Sequence, residues 1–456
     1  MAYRKCQKGA ALLISMIILA VLSAWAVSIC SISDAGVQLA ENQRKANRAR
    51  ANAESGLDIL RFWLGQVSMP STTAADEKFS NLATFLQNNL TANITPHYDG
   101  SSLITISPVT LDLTAGQTFF AKIIADNPSD AKILQVDVTG TYRTITRTIR
   151  VNYDFGPSPY PIFDYGVATK GPLNLQGNIE MSGANVDLDA GVYIESENDP
   201  DALSIIGNSS IAGDVYITNP DAVVTLQGGQ ASIGGETGQA AIDNHVDFNA
   251  PKIDFPVPNP GYFWPYVQNT YDSNNVLTEY ENVRIPAGID PVFSGGLTLK
   301  GVVFIEVPNV VTFTGNTEIT GIIVGNGDLN DNSGENRIIF LGTVSSYPVT
   351  DLPEEPQFDQ LRDETGTFLM APGFSASFGG NFETLNGAIA TNGVEFFGDA
   401  GGTVDGSVIN YSDTPMTLTG NNDLFFNRSG TTEVPAGFEF DIELKYDPAS
   451  YSEVVL

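Results

Sequence analysis

The chain has 456 residues and a net charge of −31, concentrated downstream, where residues 153–456 carry eight Lys/Arg against 42 Asp/Glu. A surface of that sign repels phosphate backbones and anionic lipid, so nucleic acid is excluded as a partner of the downstream part. Two histidines (His97 and His245) exclude a metal cluster of several histidines, and two cysteines (Cys6 and Cys30) exclude any disulfide beyond residue 30.

Residues 1–9 are short and basic, with Arg4, Lys5 and Lys8, and the 25 residues from Gly9 to Ser33 carry no charge. A bilayer core about 30 Å thick needs roughly 20 apolar residues at a rise of 1.5 Å each. The run is long enough to span, and its basic flank predicts a cytoplasmic N-terminus with everything after residue 33 outside. Three readings of this start compete. One is a signal peptide with a small-residue cleavage site at Ala24-Trp25-Ala26. The others are a plain single-pass anchor, and a leader over 1–9 ahead of a helix that begins at Ala10. Ile29 stands where a lipoprotein acylation box before Cys30 would need a small residue.

From Asp34 to Leu64 there is no proline, and Ala53, Leu57, Leu60 and Leu64 recur at i, i+4, i+7 and i+11. That spacing predicts one long helix over 10–64, membrane-grade in its first half and amphipathic in its second. The start Lys8-Gly9-Ala10-Ala11-Leu12, together with Ala51-Asn52-Ala53-Glu54-Ser55-Gly56-Leu57, resembles minor pilins of the PilX type. In that family a basic-Gly-Ala-Leu start precedes an "AAEAGL"-like segment. The resemblance covers about residues 4–64, with a weaker echo to 155. It implies cleavage by a prepilin peptidase between Gly9 and Ala10, methylation of Ala10, and packing against other pilins or pseudopilins from the bacterial inner membrane. Major pilins carry a Glu at the fifth mature position, and here that position is Ile14. The resemblance implies that minor pilins of this type and tip pseudopilins often lack that Glu, which suits a low-copy or tip position.

Residues 65–156 read as a small α+β pilin-like head. A helix is predicted at about 76–90, and strands at 103–107, 118–125, 133–142 and 143–153. The last two alternate apolar and polar residues around Gly140, as in an antiparallel pair with one solvated face. Pro157-Ser158-Pro159 marks a linker.

Over 160–456 the texture becomes short Val/Ile/Leu/Thr strands punctuated by Gly and Asn. Gly177-Asn178, Gly207-Asn208, Gly315-Asn316 and Gly380-Asn381 open units of similar internal frame. Gly and Asn both tolerate left-handed φ, so each pair suits a corner between two strands. The predicted fold is therefore a large all-β domain, a right-handed β-helix or β-solenoid of stacked coils. A β-sandwich with ordinary Gly-Asn turns is the alternative. An aromatic, Pro-rich stretch at 251–275 interrupts the repeats, and its Tyr262, Phe263, Trp264 and Tyr266 either pack over the coils or form a binding loop for a glycan or partner. A second stretch, 346–366, is acidic and Pro-rich and reads as a solvated loop.

Chemistry is sparse. Acidic-polysaccharide lyases need a basic residue beside carboxylates, and bases are scarce here; glycoside hydrolases need only two placed carboxylates, which 42 acids could supply anywhere without specificity. The run Asp243–Asp247 around His245 reads as a surface turn. Asp328, Asn330 and Asn332 alternate as oxygen ligands suited to Ca²⁺, yet the Gly falls one place late for an EF-hand and no Glu sits at position 12. An Asx-rich turn is the other reading, and no metal or cofactor is expected. The leading expectation is a non-enzymatic subunit of a type IV pilus or a type II secretion pseudopilus, displaying the solenoid at or near the tip. The alternatives are an adhesin that binds a glycan or surface partner, and a membrane-anchored polysaccharide-active enzyme.

Overall fold

The long helix is continuous: α1 runs Gln7–Leu64. A computed structural model describes residues 7–70, 73–90, 94–158, 160–429 and 434–454. The chain divides into two compact units, Met1–Gly156 with Asp441–Leu456, and Pro157–Phe440.

In the first unit, α1 is followed by β1 (Ser68–Pro70), α2 (Lys78–Asn89), β2 (Pro96–Tyr98), β3 (Leu103–Asp112), β4 (Gln117–Ala125), β5 (Ile133–Tyr142) and β6 (Ile145–Pro157). Adjacent strands from β2 to β6 pair antiparallel, in chain order. α2 buries Phe79, Leu82, Ala83 and Leu86, at the spacing of one helical face. The face of α1 read from the sequence is the face that packs: Ala53, Leu57, Leu60 and Leu64 are all buried. Small residues let helix and sheet approach closely. A Cβ on Gly56 would lie 2.5 Å from the Phe119 ring, and one on Gly140 of β5 would lie 2.1 Å from the Ala49 carbonyl oxygen. Asn52, buried between them, donates from Nδ2 to the Thr141 carbonyl at 2.7 Å. The Ala-Asn-Ala-Glu-Ser-Gly-Leu segment is thus a packing signature, small where the sheet crosses.

The all-β region expected to run to 456 ends sooner. Its last strand, Asp441–Val454, joins the head sheet between β1 and β6. Nothing local in a strand-like sequence dictates which sheet it completes. Here the register with β1, Ser68 opposite Glu443 and Pro70 opposite Asp441, decides it.

The second unit holds two open sheets, one of twelve and one of fourteen strands. Their ladders are parallel apart from one short pair, Ser232–Ile233 with Glu236–Thr237, while Val257–Pro258 and Phe438–Glu439 form a separate two-stranded antiparallel sheet. A hairpin-built β-sandwich does not describe this arrangement. Long strands bend at glycines and stay in register: Leu297–Glu306 lies beside Thr317–Asn326, with Gly301 opposite Gly321. Their side chains alternate between two cores. Val303 and Ile305 join the apolar cluster shared by both sheets, whereas Val302 and Phe304 join a second cluster outside the twelve-stranded sheet.

Gly207, Gly315 and Gly380 lie at or just past the end of a strand, whereas Gly177 lies within the strand Leu173–Gly183. A Cβ on Gly177 would lie 2.3 Å from the Gly420 carbonyl oxygen, and one on Gly207 would lie 2.5 Å from that of Gly177. Gly315 and Gly380 meet the carbonyl oxygens of Gly295 and Gly342 at 2.3 and 2.2 Å in the same way. Gly177 has φ +131°, so conformation and space both demand glycine there. The asparagines that follow link side chain to side chain: Asn208 donates to Asn178 at 2.9 Å and Asn178 to Asn421 at 2.7 Å.

The chain does not stack its strands in chain order. In the twelve-stranded sheet it enters mid-sheet at Val167–Thr169 and steps outward to Val246–Phe248. It then crosses to the opposite edge at Asn269–Thr270 and steps back until Val408–Asn410 lies beside Val167–Thr169. The interruption at 251–275 contains that crossover. The 346–366 stretch is corrected from a solvated loop: Val349, Leu352, Phe358 and Leu361 are buried over the same sheet, while Glu354, Glu355 and Asp359 face solvent. Asp243–His245 is corrected too. It ends a helix, α3 (Gly238–His245), with His245 Nδ1 2.8 Å from Asp214 Oδ1.

Inside the shared core, Phe293, Phe313, Phe340, Phe378 and Phe396 stack in sequence, with ring centroids 5.2, 4.9, 5.0 and 5.1 Å apart. Phe340 sits mid-stack and is 1% exposed. Phe340→Ala is expected to cost about 3–5 kcal/mol, the usual range for an emptied aromatic site. Equilibrium denaturation of the full chain, followed by circular dichroism, checks it.

Candidate functional site: an exposed apolar helix

α1 is 58 residues long, about 87 Å at 1.5 Å per residue. Every residue from Leu12 to Ala40 is exposed. Leu12, Ile14, Trp25 and Ile32 are 65%, 56%, 68% and 71% exposed. Among the described residues this is the one helix long and apolar enough to cross a membrane, with a mean hydropathy of 2.5 in its most apolar window. A row of large apolar side chains this long is not a stable surface in water, so it needs lipid or a protein partner. Two serines in the run bond back to the helix. Ser15 and Ser23 donate from Oγ to the Leu12 and Leu19 carbonyls at 2.8 and 2.7 Å.

Charge resumes at Asp34, and two pairs are local to the helix. Lys45 meets Glu41 at 2.9 Å and Arg50 meets Glu54 at 3.0 Å, both at i, i+4. Beyond that belt the helix turns its small and apolar face onto β4 and β5. The helix therefore joins an unpartnered apolar segment to a folded head. Gly9 and Ala10 lie near its start, within Gln7–Leu64, and their side chains fall outside the described residues, as does all of 1–6. Ile14 places no carboxylate in the run.

The aromatic residues at 262–266 occupy a short 3-10 helix, Pro260–Tyr266. Phe263 is fully buried in the outer cluster and Trp264 meets Phe304 edge-on, with centroids 5.1 Å apart. Tyr262 and Tyr266 both donate from their hydroxyls to Glu364 Oε1, each at 2.8 Å. Burial, then that carboxylate, pushes the Tyr262 hydroxyl up to about 12. Sequence reading missed Glu364, which lies about 100 residues away and carries no local signal. Tyr262 and Trp264 keep 45% and 48% of their surface exposed, whereas Phe263 has none to offer a ligand.

The Asp328–Glu335 stretch spends its oxygens on its own turn. Asp328 Oδ1 accepts the Asn330 backbone N–H at 2.9 Å and Asp331 Oδ1 accepts that of Ser333 at 2.9 Å. The Ser333 bonds hold the Asp331 carboxyl below its usual range. Among the described residues no three His, Cys, Asp or Glu side chains converge as a metal site would require.

No protein-family model matches the chain, and no curated protein matches it. A solved structure, the competence-associated pilin ComZ from Thermus thermophilus, aligns over 90% of this chain and 97% of its own, at 13% identity and a TM-score of 0.26. A likeness that weak carries no argument about fold or role.

Proposed function

We propose that the chain is a pilin-like structural subunit, held in a membrane by residues 10–33 with its N-terminus in the cytoplasm. A prepilin peptidase removes 1–9, and the exposed apolar half of α1 packs against the helices of other pilins or pseudopilins. The second unit, in this reading a β-solenoid of stacked coils, is carried outside the inner membrane on the pilus or pseudopilus. We assign it no catalytic step.

One observation carries the reading: a single unbroken helix is exposed and uncharged from Leu12 to Ser33 and buries Ala53, Leu57, Leu60 and Leu64 in a sheet over its second half. A cleaved signal peptide has no use for that continuity, and a plain anchor has no use for the head packing. Ile14 in place of an acid favours a tip or low-copy position over the filament shaft.

The test is the mature N-terminus of the membrane-associated protein, read by mass spectrometry. Wild type is expected to start at Ala10, and Gly9→Val to retain Met1. A wild-type start at Val27, or wild type and Gly9→Val processed alike, overturns the proposal.

A further inference from the structure

The outer surface of the second unit has two open depressions, of about 490 and 270 Å³, that meet at Glu383. They lie where the strands Val344–Tyr347, Thr384–Leu385, Gly402–Val404 and the second half of Met416–Phe426 run side by side. Alternation fixes what faces out. Leu385, Val404 and Phe426 are buried in the core, so their neighbours Thr384, Thr403 and Phe425, in register with one another, form an outward row. Strands stand about 4.8 Å apart, close to the length of one sugar ring, so such a row offers one contact per ring.

The lining is of two kinds. Phe425 and Tyr347 show partly exposed rings, 43% for Tyr347, and supply apolar faces on which a sugar can stack. Around them stand four carboxylates, Glu383, Asp399, Asp405 and Asp423, and neither depression is lined by a lysine, arginine or histidine. Two of the four are oriented by amides. Asn421 donates to Asp399 at 3.2 Å and Asn427 to Asp405 at 2.8 Å, which leaves further acceptor capacity on each. The unit as a whole carries 37 Asp/Glu against seven Lys/Arg over 157–440. A carboxylate-bearing glycan is repelled here, and a protonated amine is attracted.

We propose that this double depression binds a glycan bearing free amino groups, with its rings on Phe425 and Tyr347 and its amines on Glu383, Asp405 and Asp423. The site lies outside the 262–266 segment and does not depend on how the N-terminus is processed, so it stands or falls separately from the pilin reading.

The experiment titrates the full chain in detergent with four probes: a glucosamine hexamer, its N-acetylated form, a galacturonate hexamer and hexalysine. The glucosamine hexamer is expected to bind at least about tenfold more tightly than the other three, because only it combines rings with charge-assisted amine contacts. Glu383→Gln, an exposed substitution that leaves the fold intact, is expected to weaken it about tenfold, and Phe425→Ala by a similar factor. Circular dichroism confirms that both variants are folded. No binding, equal binding of hexalysine or of the N-acetylated form, preference for galacturonate, or unchanged affinity in folded Glu383→Gln overturns the proposal.

Discussion

Gly140→Val is expected to cost the head upwards of about 3 kcal/mol and to lower its thermal midpoint by more than about 12 °C. The reason is where β5 crosses α1. A Cβ at position 140 would lie 2.1 Å from the Ala49 carbonyl oxygen and 2.2 Å from the Ala53 amide nitrogen. Both are backbone atoms of a hydrogen-bonded helix, so no side-chain rotation relieves the overlap. The helix must lift from the sheet, which uncovers Leu57, Leu60 and Leu64 and breaks the Asn52–Thr141 hydrogen bond. Gly56→Ala meets the Phe119 ring instead, at 2.5 Å. A ring can shift, so the expected cost there is about 1–3 kcal/mol. Gly36→Ala has nothing within 4 Å and is expected to leave the head transition unchanged. Thermal unfolding of the three variants, followed by circular dichroism, reads the order directly. A Gly140→Val head that melts like wild type would mean that helix and sheet do not approach this closely.

What the amino-acid order revealed follows from how local each determinant is. The face Ala53, Leu57, Leu60 and Leu64 was legible because the helical period alone selects it. The strands around Gly140 were legible for the same reason, from alternation. The glycines of the Gly-Asn units could be read because none of the four has room for a Cβ, and Gly177 and Gly207 have positive φ as well. Their partners could not be read. Asn178 bonds to Asn421, 243 positions away, because the chain enters its stack mid-sheet. Parallel ladders lack the tight turn that fixes the register of a hairpin.

Composition misled where burial depends on spacing rather than on average polarity. The 346–366 stretch is acidic overall, yet it anchors Val349, Leu352, Phe358 and Leu361 between its charges. The rings at 262–266 were visible, but the same composition serves a binding loop and a buried crossover. Glu364, which takes both tyrosine hydroxyls, could not have been singled out from its surroundings. The proposed glycan depression has the same character. Its carboxylates come from residues 383, 399, 405 and 423, brought together because Thr384–Leu385, Gly402–Val404 and Met416–Phe426 lie side by side.

Excising residues 158–440 and closing the gap with a short turn is expected to leave α1 and the head folded, while it removes nearly all of the net charge. The strands on either side of the cut are neighbours. Gly156 packs on Lys445, the Asn152 amide donates to Ser450 Oγ at 2.7 Å, and Arg147 pairs with Glu453 at 3.2 Å. Positions that rise on one strand and fall on the other mark an antiparallel pair. A hairpin loop of two to five residues joins such a pair, so about four added residues are enough. The remaining chain carries 15 Lys/Arg against 16 Asp/Glu. Its stability reports on the excised unit. If 158–440 behaved as a loose loop, shortening it to about four residues is roughly six halvings in length, and the head should gain about 4 kcal/mol. A folded unit that already holds its own ends together withholds that gain, and the expected change is within about 1 kcal/mol. Denaturant unfolding of the head with and without the excision separates the two cases. A mature N-terminus at Ala10 in the excised form would show that processing needs only the helix and head.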